Sequence, residues 1–280
     1  MKVGFIGTGS MGSLLIDAFI RSGALRPEQI RVSNRTPEKA QLLSKRHPGL
    51  TVCSCNQETA SDSDLFFICV KPLEFKSVIS EIRDRLSERQ IAVSITSPVQ
   101  LIHLEAALPC KVAKIIPSIT NITGGGASLC MYGSRIKEED RQLIESLLSY
   151  ISRPVEILES HTRITSDFSS CGPAFLSLFL EKWIDAAVEM TGIDRRTLNA
   201  LAGEMLVGTG RLLTEEGFSP EQLQKRVAVP GGITAQALIL LNSHLNGLFY
   251  QLIETTHDKY EEDLAKLDAA FGFSVNRPRY

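Results

Sequence analysis

The sequence predicts an α/β protein: an N-terminal Rossmann-type doubly wound sheet followed by a C-terminal all-α dimerisation domain. Three observations lead there. Short apolar runs alternate with helical stretches over roughly the first 159 residues, the signature of βαβ units around a mainly parallel sheet. A glycine-rich turn follows the first of those runs. Beyond residue 160 the strand pattern stops and only helical periodicity remains.

The expected strands are Val3–Ile6, Ile30–Ser33, Thr51–Ser54, Leu65–Val70, Ile91–Thr96, Val112–Ile116, Ala127–Met131 and Pro154–Leu158. Their near-continuous apolar character fits strands covered on both faces. Thr36-Pro37 reads as an N-cap with proline in the first helical position. Phe75, Val78, Ile79, Ile82 and Leu86 fall at helical spacing. In the second half, Gly172-Pro173 is expected to open a helix that Gly192 stops. Asp194 should cap the next, Ser219-Pro220 a third, and Thr234 to about Phe271 should be helical with a break near Thr256. The division expected is residues 1–159, 160–273 and a mobile tail 274–280.

The second-half helices are apolar on more than one face, as in Ala235-Leu-Ile-Leu-Leu and around Leu248-Phe-Tyr. Such surface calls for a cover, so a homodimer is expected, with a higher oligomer open. Trp183 and the phenylalanines beside it sit at packing spacing.

Composition narrows the functions. The 280 residues carry a net charge of −2 and are 43% hydrophobic, as in ordinary globular chains. A near-neutral balance and 6% aromatics argue against nucleic acid as a partner. The longest apolar runs, Leu65–Val70 and Ala235–Leu241, are six and seven residues, too short to span a membrane. The apolar start meets Gly7 too soon for an export signal, so a cytoplasmic setting is expected. Six cysteines without a Cys-x-x-Cys, and five histidines without matching spacing, predict reduced thiols and no metal.

Gly7-Thr8-Gly9-Ser10-Met11-Gly12 matches G-x-G-x-x-G between an apolar strand and an apolar-periodic helix. Gly7 permits the tight turn, Gly9 lets backbone approach a pyrophosphate, and Gly12 lets helix and strand pack closely. An NAD site needs a carboxylate at the end of the next strand for the ribose 2′-hydroxyl. Here stand Asn34, Arg35 and Thr36 instead, donors and one cation suited to a 2′-phosphate, so NADP is expected over NAD. Asn56, Val70-Lys71-Pro72 and Ser94 lie past later strands and are further cofactor candidates.

Together, Lys2-Val-Gly-Phe-Ile-Gly-Thr-Gly-Ser-Met-Gly12, Val70-Lys-Pro72, Gly172-Pro-Ala174 and Pro230-Gly-Gly-x-Thr234 resemble the pyrroline-5-carboxylate reductase family. The resemblance spans nearly the whole chain. It implies hydride transfer from NAD(P)H to the C=N carbon of a cyclic imino acid, giving proline. Gly172-Pro173 and Gly231-Gly232 would offer helix N-termini to the substrate carboxylate. Ser166 and Thr234 would supply hydroxyls at the reacting imine.

Three segments depart from the family pattern. Ser166-Asp-Phe-Ser-Ser-Cys171 stands for Thr-Gly-Leu-Ser-Gly-Ser, and Val229 replaces a serine hydroxyl in the loop before Pro230. Ile116-Pro-Ser-Ile-Thr120 stands for Met-Pro-Asn-Thr-Pro. These changes cluster at the substrate. They open an alternative, a catalytically divergent NADP-binding regulatory paralogue of the late-competence type. A 3-hydroxyacid dehydrogenase reading would need an asparagine four residues after Lys182, where Ala186 stands.

Overall fold

The computed structural model describes residues 1–272; the expected tail, 274–280, lies outside them. By spatial compactness the chain forms two units, one of Met1–Pro173 together with the stretch from Thr256, the other Ala174–Thr255.

The first unit carries β1 (Val3–Ile6), α1 (Ser10–Arg21), β2 (Ile30–Ser33), α2 (Pro37–Arg46), β3 (Thr51–Val52), α3 (Asn56–Ser61), β4 (Leu65–Ile68), α4 (Phe75–Ile82), β5 (Ile91–Ser94), α5 (Leu101–Ala107), β6 (Lys111–Ile116), β7 (Ala127–Tyr132), α6 (Glu138–Ser149), β8 (Arg153–Glu156) and α7 (Thr162–Ser166). The eight strands form one sheet in the order β3-β2-β1-β4-β5-β6-β7-β8. All neighbours are parallel except β6 and β7. Strand order reverses about β1, with β2 on one side of it and β4 on the other, so the crevice for a ligand opens beside the carboxyl end of that strand.

Side-chain alternation divides the core. Val3, Phe5, Leu65, Phe67, Ile91 and Val93 pack on one face of the sheet, and Ile6, Phe66, Ile68 and Ala92 on the other. Phe5 stacks on Phe67 at 4.9 Å, and Phe19 of α1 tilts onto both. This cluster seats α1 against β1 and β4.

The strands stop short of their sequence-expected carboxyl ends at Val52, Ile68, Ser94 and Glu156, because the last residues turn into the loops above the sheet. The stretch expected as one helix from Glu74 to Leu86 is α4 flanked by 3-10 turns, Pro72–Glu74 and Arg83–Arg85. Thr36 occupies the N-cap of α2 but its side chain makes no capping bond.

All six cysteines are free. Cys110 and Cys130 are fully buried, and burial pushes each thiol up to about 11. An unfolded thiol ionises near 9.0, so the folded state gains full benefit below that pH and loses it as pH rises through 11. Urea unfolding at pH 8 and 10.5 should show a loss on the order of 2 kcal/mol per thiol. The loss should be absent from a Cys110→Ala/Cys130→Ala variant; equal pH losses in both proteins would contradict it.

The second unit is helical. It holds the body of α8 (Gly172–Thr191), α9 (Arg195–Thr214), α10 (Pro220–Val227), α11 (Ile233–Leu245) and the first two turns of α12 (Leu248–Phe271). Asp194 caps α9 through the Thr197 amide at 3.0 Å, and Ser219 caps α10 through Gln222 at 3.1 Å. The break expected near Thr256 lies instead at Asn246-Gly247, where Gly247 takes φ 87° and α12 then runs unbroken. Gly247, with no Cβ, takes that left-handed backbone at little cost. Within this unit Ile184 is the one buried large apolar side chain, while Trp183, Met190, Leu201, Ile239 and Tyr250 are exposed.

From Thr256 onward α12 belongs to the first unit. His103 of α5 bonds Asp268 at 2.8 Å and stacks on Phe271 at 5.0 Å, and Leu267 joins the core of α4 and α5.

Candidate active site

The loop between β1 and α1 is shaped by its three glycines in two ways. Gly7, at φ 99°, donates its amide to the Ser33 carbonyl at 2.8 Å. A Cβ there would lie 2.7 Å from the Cys69 carbonyl oxygen, and one on Gly12 only 2.2 Å from that of Gly7. These two glycines are demanded by the protein's own packing. Gly9 is different: a Cβ there would meet nothing within 4 Å. Its missing side chain faces open space at the head of α1, whose N-terminus has neither a side-chain cap nor an acidic residue in its first turn. The free amides and the helix dipole suit an anion there. A dinucleotide pyrophosphate fits that cradle.

The neighbouring side chains hold the loop. Thr8 donates its amide to Asn34 Oδ1 at 2.9 Å, and its carbonyl accepts Ser13 Oγ at 3.0 Å. Thr8 Oγ1 is buried without a partner among the described residues. Ser10 is exposed, and Met11 packs on the core. Cys69 supports the loop from below, and burial pushes its thiol far up, so it stays neutral.

The residues past β2 and β3 are gathered on one side of this loop, and each already has a protein partner. Asn34 Nδ2 donates to the Thr36 carbonyl at 2.9 Å. Arg35, largely exposed, pairs with Glu74 at 2.7 Å. Asn56 accepts from Ser33 Oγ at 2.8 Å and donates to Glu81 at 2.6 Å. Glu58 closes the turn before α3: the Ser54 amide first, then its hydroxyl, hold that carboxyl below the usual range. Past β4, Val70 offers its carbonyl to Thr96 Oγ1 at 3.3 Å, Lys71 is exposed, and Pro72 opens the 3-10 turn that delivers Glu74. Ser94, fully buried, accepts from the Thr96 amide at 3.3 Å.

The structure corrects the reading of Gly172-Pro173. They do not start a helix. Helical backbone runs from Thr162 to Thr191, passing through a π-turn at Asp167–Cys171. The amides of Gly172 and its successors therefore lie inside a helix, and no helix N-terminus faces a carboxylate here. Cys171 is likewise mid-helix, at the end of the π-turn. Pro173 explains the turn: it has no N–H and its ring repels the carbonyl four residues back. That carbonyl belongs to Ser169, and Ser118 Oγ donates to it at 2.9 Å.

The π-turn holds a buried polar cluster. Asp167 Oδ1 accepts from Arg163 at 2.8 Å, and Oδ2 accepts from Thr256 Oγ1 at 2.7 Å. Arg163 also reaches Cys171 Sγ at 3.0 Å. Ser166 is buried beside them, its Oγ without a partner among the described residues. His161, another junction residue, is exposed.

In the helical unit, Val229-Pro230-Gly231-Gly232 forms a tight turn. Gly232 donates to the Val229 carbonyl at 3.0 Å, with proline second and Gly231 third at φ 73°, the pattern of a type II turn. Gly232 then caps α11 without any side-chain bond, leaving its amides available, and Thr234 stands in the first turn. The Val229 methyl lies where a Gly232 Cβ would come within 2.7 Å of it. Val229 is 64% and Ile233 92% exposed, so the mouth of this helix is apolar. Ser166 and Thr234 belong to different units. Lys182 is exposed and pairs with Asp185 at 3.9 Å.

Sequence reading missed Glu74, Glu81, Arg163, Thr256 and the fully buried Lys114, which pairs with Glu159 at 3.0 Å. Their partners lie 4 to 89 positions away. The i, i+4 spacing of Arg163 and Asp167 was the one legible signal.

A Rossmann sheet with an open glycine cradle, continued by helices with little core of their own, defines a class: two-domain dinucleotide-dependent oxidoreductases. The comparisons agree. The family model "NADP oxidoreductase coenzyme F420-dependent" matches residues 2–98, and "Pyrroline-5-carboxylate reductase dimerisation" matches 159–263. The chain is 40% identical to ComE operon protein 4 of Bacillus subtilis, over 97% of this chain and 99% of that one. It is 31% identical to the pyrroline-5-carboxylate reductase of Corynebacterium melassecola, over 93% and 97%. The solved pyrroline carboxylate reductase of Plasmodium falciparum with NADP bound superposes with a TM-score of 0.82 at 25% identity, covering 95% and 97%. The chain belongs to the pyrroline-5-carboxylate reductase family. Among the described residues, no helix is long and apolar enough to cross a membrane.

Proposed function

We propose that the chain is an NADPH-dependent reductase of a cyclic imino acid, 1-pyrroline-5-carboxylate to proline, serving proline biosynthesis. The observation that carries this reading is the open cradle at Gly9 under an uncapped helix, in a chain of this family. Gly7 through Gly12 would receive the pyrophosphate. Arg35, with Asn34, Thr36 and Asn56 about it, would face the 2′-phosphate. Val70, Lys71, Pro72 and Ser94 would border the rest of the cofactor. NADPH, when bound, supplies the hydride; the chain supplies orientation and charge. The free amides after Gly231 and Gly232 would hold the substrate carboxylate, and the Thr234 hydroxyl in the turn that follows would orient the imine.

The helical unit's exposed apolar faces, with a groove of about 270 Å³ between α8 and α9, suit a second copy of the chain. The free thiols suit a cytoplasmic setting. A second reading, the regulatory NADP-binding paralogue, is favoured by one observation: Val229 and Ile233 make the α11 mouth apolar where a carboxylate would dock.

Purified protein should sediment as a dimer and oxidise NADPH with pyrroline-5-carboxylate. A Val229→Ser variant should bind that substrate about tenfold more tightly, the worth of one hydrogen bond to a charged group. NADPH binding without turnover in either protein would overturn the reductase reading and leave the regulatory one.

A further inference from the structure

We propose that Glu74 sets the nucleotide preference of this chain, acting as the specificity-determining partner of Arg35. The proposal rests on the reading of the glycine loop as a dinucleotide site. Discrimination at the adenosine ribose needs a cation for a 2′-phosphate or a carboxylate for a 2′-hydroxyl. The end of β2 supplies the cation, and Asn34-Arg35-Thr36 contains no carboxylate. The fold brings one from elsewhere. Glu74 follows β4, Arg35 follows β2, and these strands flank β1, from which the loop departs. Their ion pair, 2.7 Å long, therefore reaches across from one neighbour of β1 to the other.

Its exposure matters. Arg35 is 85% and Glu74 34% exposed, so a ligand can reach both without opening the core. The two asparagines near it are committed: Asn34 bridges Thr8 and Thr36, and Asn56 bridges Ser33 and Glu81. Arg35 is thus the strong donor for a phosphate, and Glu74 is its standing competitor. A dianionic 2′-phosphate must displace Glu74 or bind beside its like charge. A 2′-hydroxyl can donate to Glu74 while the pair stays intact. Glu74 so penalises NADPH and keeps NADH admissible, narrowing the preference that Arg35 alone would impose.

The test is calorimetric titration with 2′-phospho-ADP-ribose and ADP-ribose, which needs no turnover. Glu74→Gln keeps the shape and an acceptor oxygen but removes the charge. It should raise the preference for the 2′-phosphorylated ligand about tenfold, the scale of one charge-assisted bond. The shift should vanish in an Arg35→Gln background, since it acts through that arginine. ADP-ribose binding by each variant reports an intact fold. An unchanged ratio in Glu74→Gln, or an equal shift without Arg35, overturns the role of Glu74 alone. Failure of wild-type protein to bind either ligand overturns the dinucleotide site itself, and this inference with it.

Discussion

Gly9→Ala should leave the fold intact and remove dinucleotide binding, whereas Gly12→Ala should damage both. The difference follows from what each new methyl would meet. At Gly12 it would lie 2.2 Å from the Gly7 carbonyl oxygen and 3.1 Å from the Cys69 side chain. Backbone cannot step aside cheaply, so α1 must move off β1 and strain the Phe5–Phe19–Phe67 cluster. Overpacking of that kind costs about 1–3 kcal/mol or more. At Gly9 the methyl meets no protein atom, and the backbone, at φ −72°, accepts alanine. It would occupy only the space assigned to the pyrophosphate. Losing two charge-assisted bonds there corresponds to roughly a hundredfold or more in affinity. Thermal unfolding and NADPH titration on both variants decide it. Full binding by Gly9→Ala would remove the cradle from consideration as the cofactor site.

The second large effect is expected at Asp167. Its carboxylate is 4% exposed, accepts from Arg163 and Thr256, and joins the π-turn to α12. Asp167→Ala would leave Arg163, itself only 15% exposed, without its counter-ion. Breaking one side of a buried pair costs about 3–5 kcal/mol, because the remaining charge stays out of water. The melting temperature should fall by roughly 10 °C. Asp167→Asn keeps the shape and the bond from Thr256, so it should cost less. Replacing Arg163 and Asp167 together with apolar residues of similar size should recover much of the loss. A double variant no better than Asp167→Ala would mean that the cluster stabilises by shape rather than charge.

The sequence by itself determined the elements and their order. Strand runs such as Val3–Ile6 and Leu65–Ile68 were legible because burial on both faces leaves unbroken apolar stretches. The glycine loop was legible because its constraints are local: strand, turn and helix lie within a dozen residues. Caps at Asp194 and Ser219 were readable for the same reason.

What only the tertiary structure decided lies between distant positions. Sequence placed a helix start at Gly172-Pro173, reading proline by its usual place in a first turn. The fold instead carries the helix through, because Ser118, 51 positions before Ser169, satisfies the Ser169 carbonyl that Pro173 frees. Sequence found Arg35 but not Glu74, 39 residues on, since strand order alone brings them to opposite sides of one loop. It read α12 as part of the helical half, yet the last turns pack Leu267 and Asp268 onto α4 and α5. Local conformation is written in neighbouring residues by sterics and capping. Charge partners, the relief of a proline and the docking of a returning helix depend on which strands the sheet sets side by side.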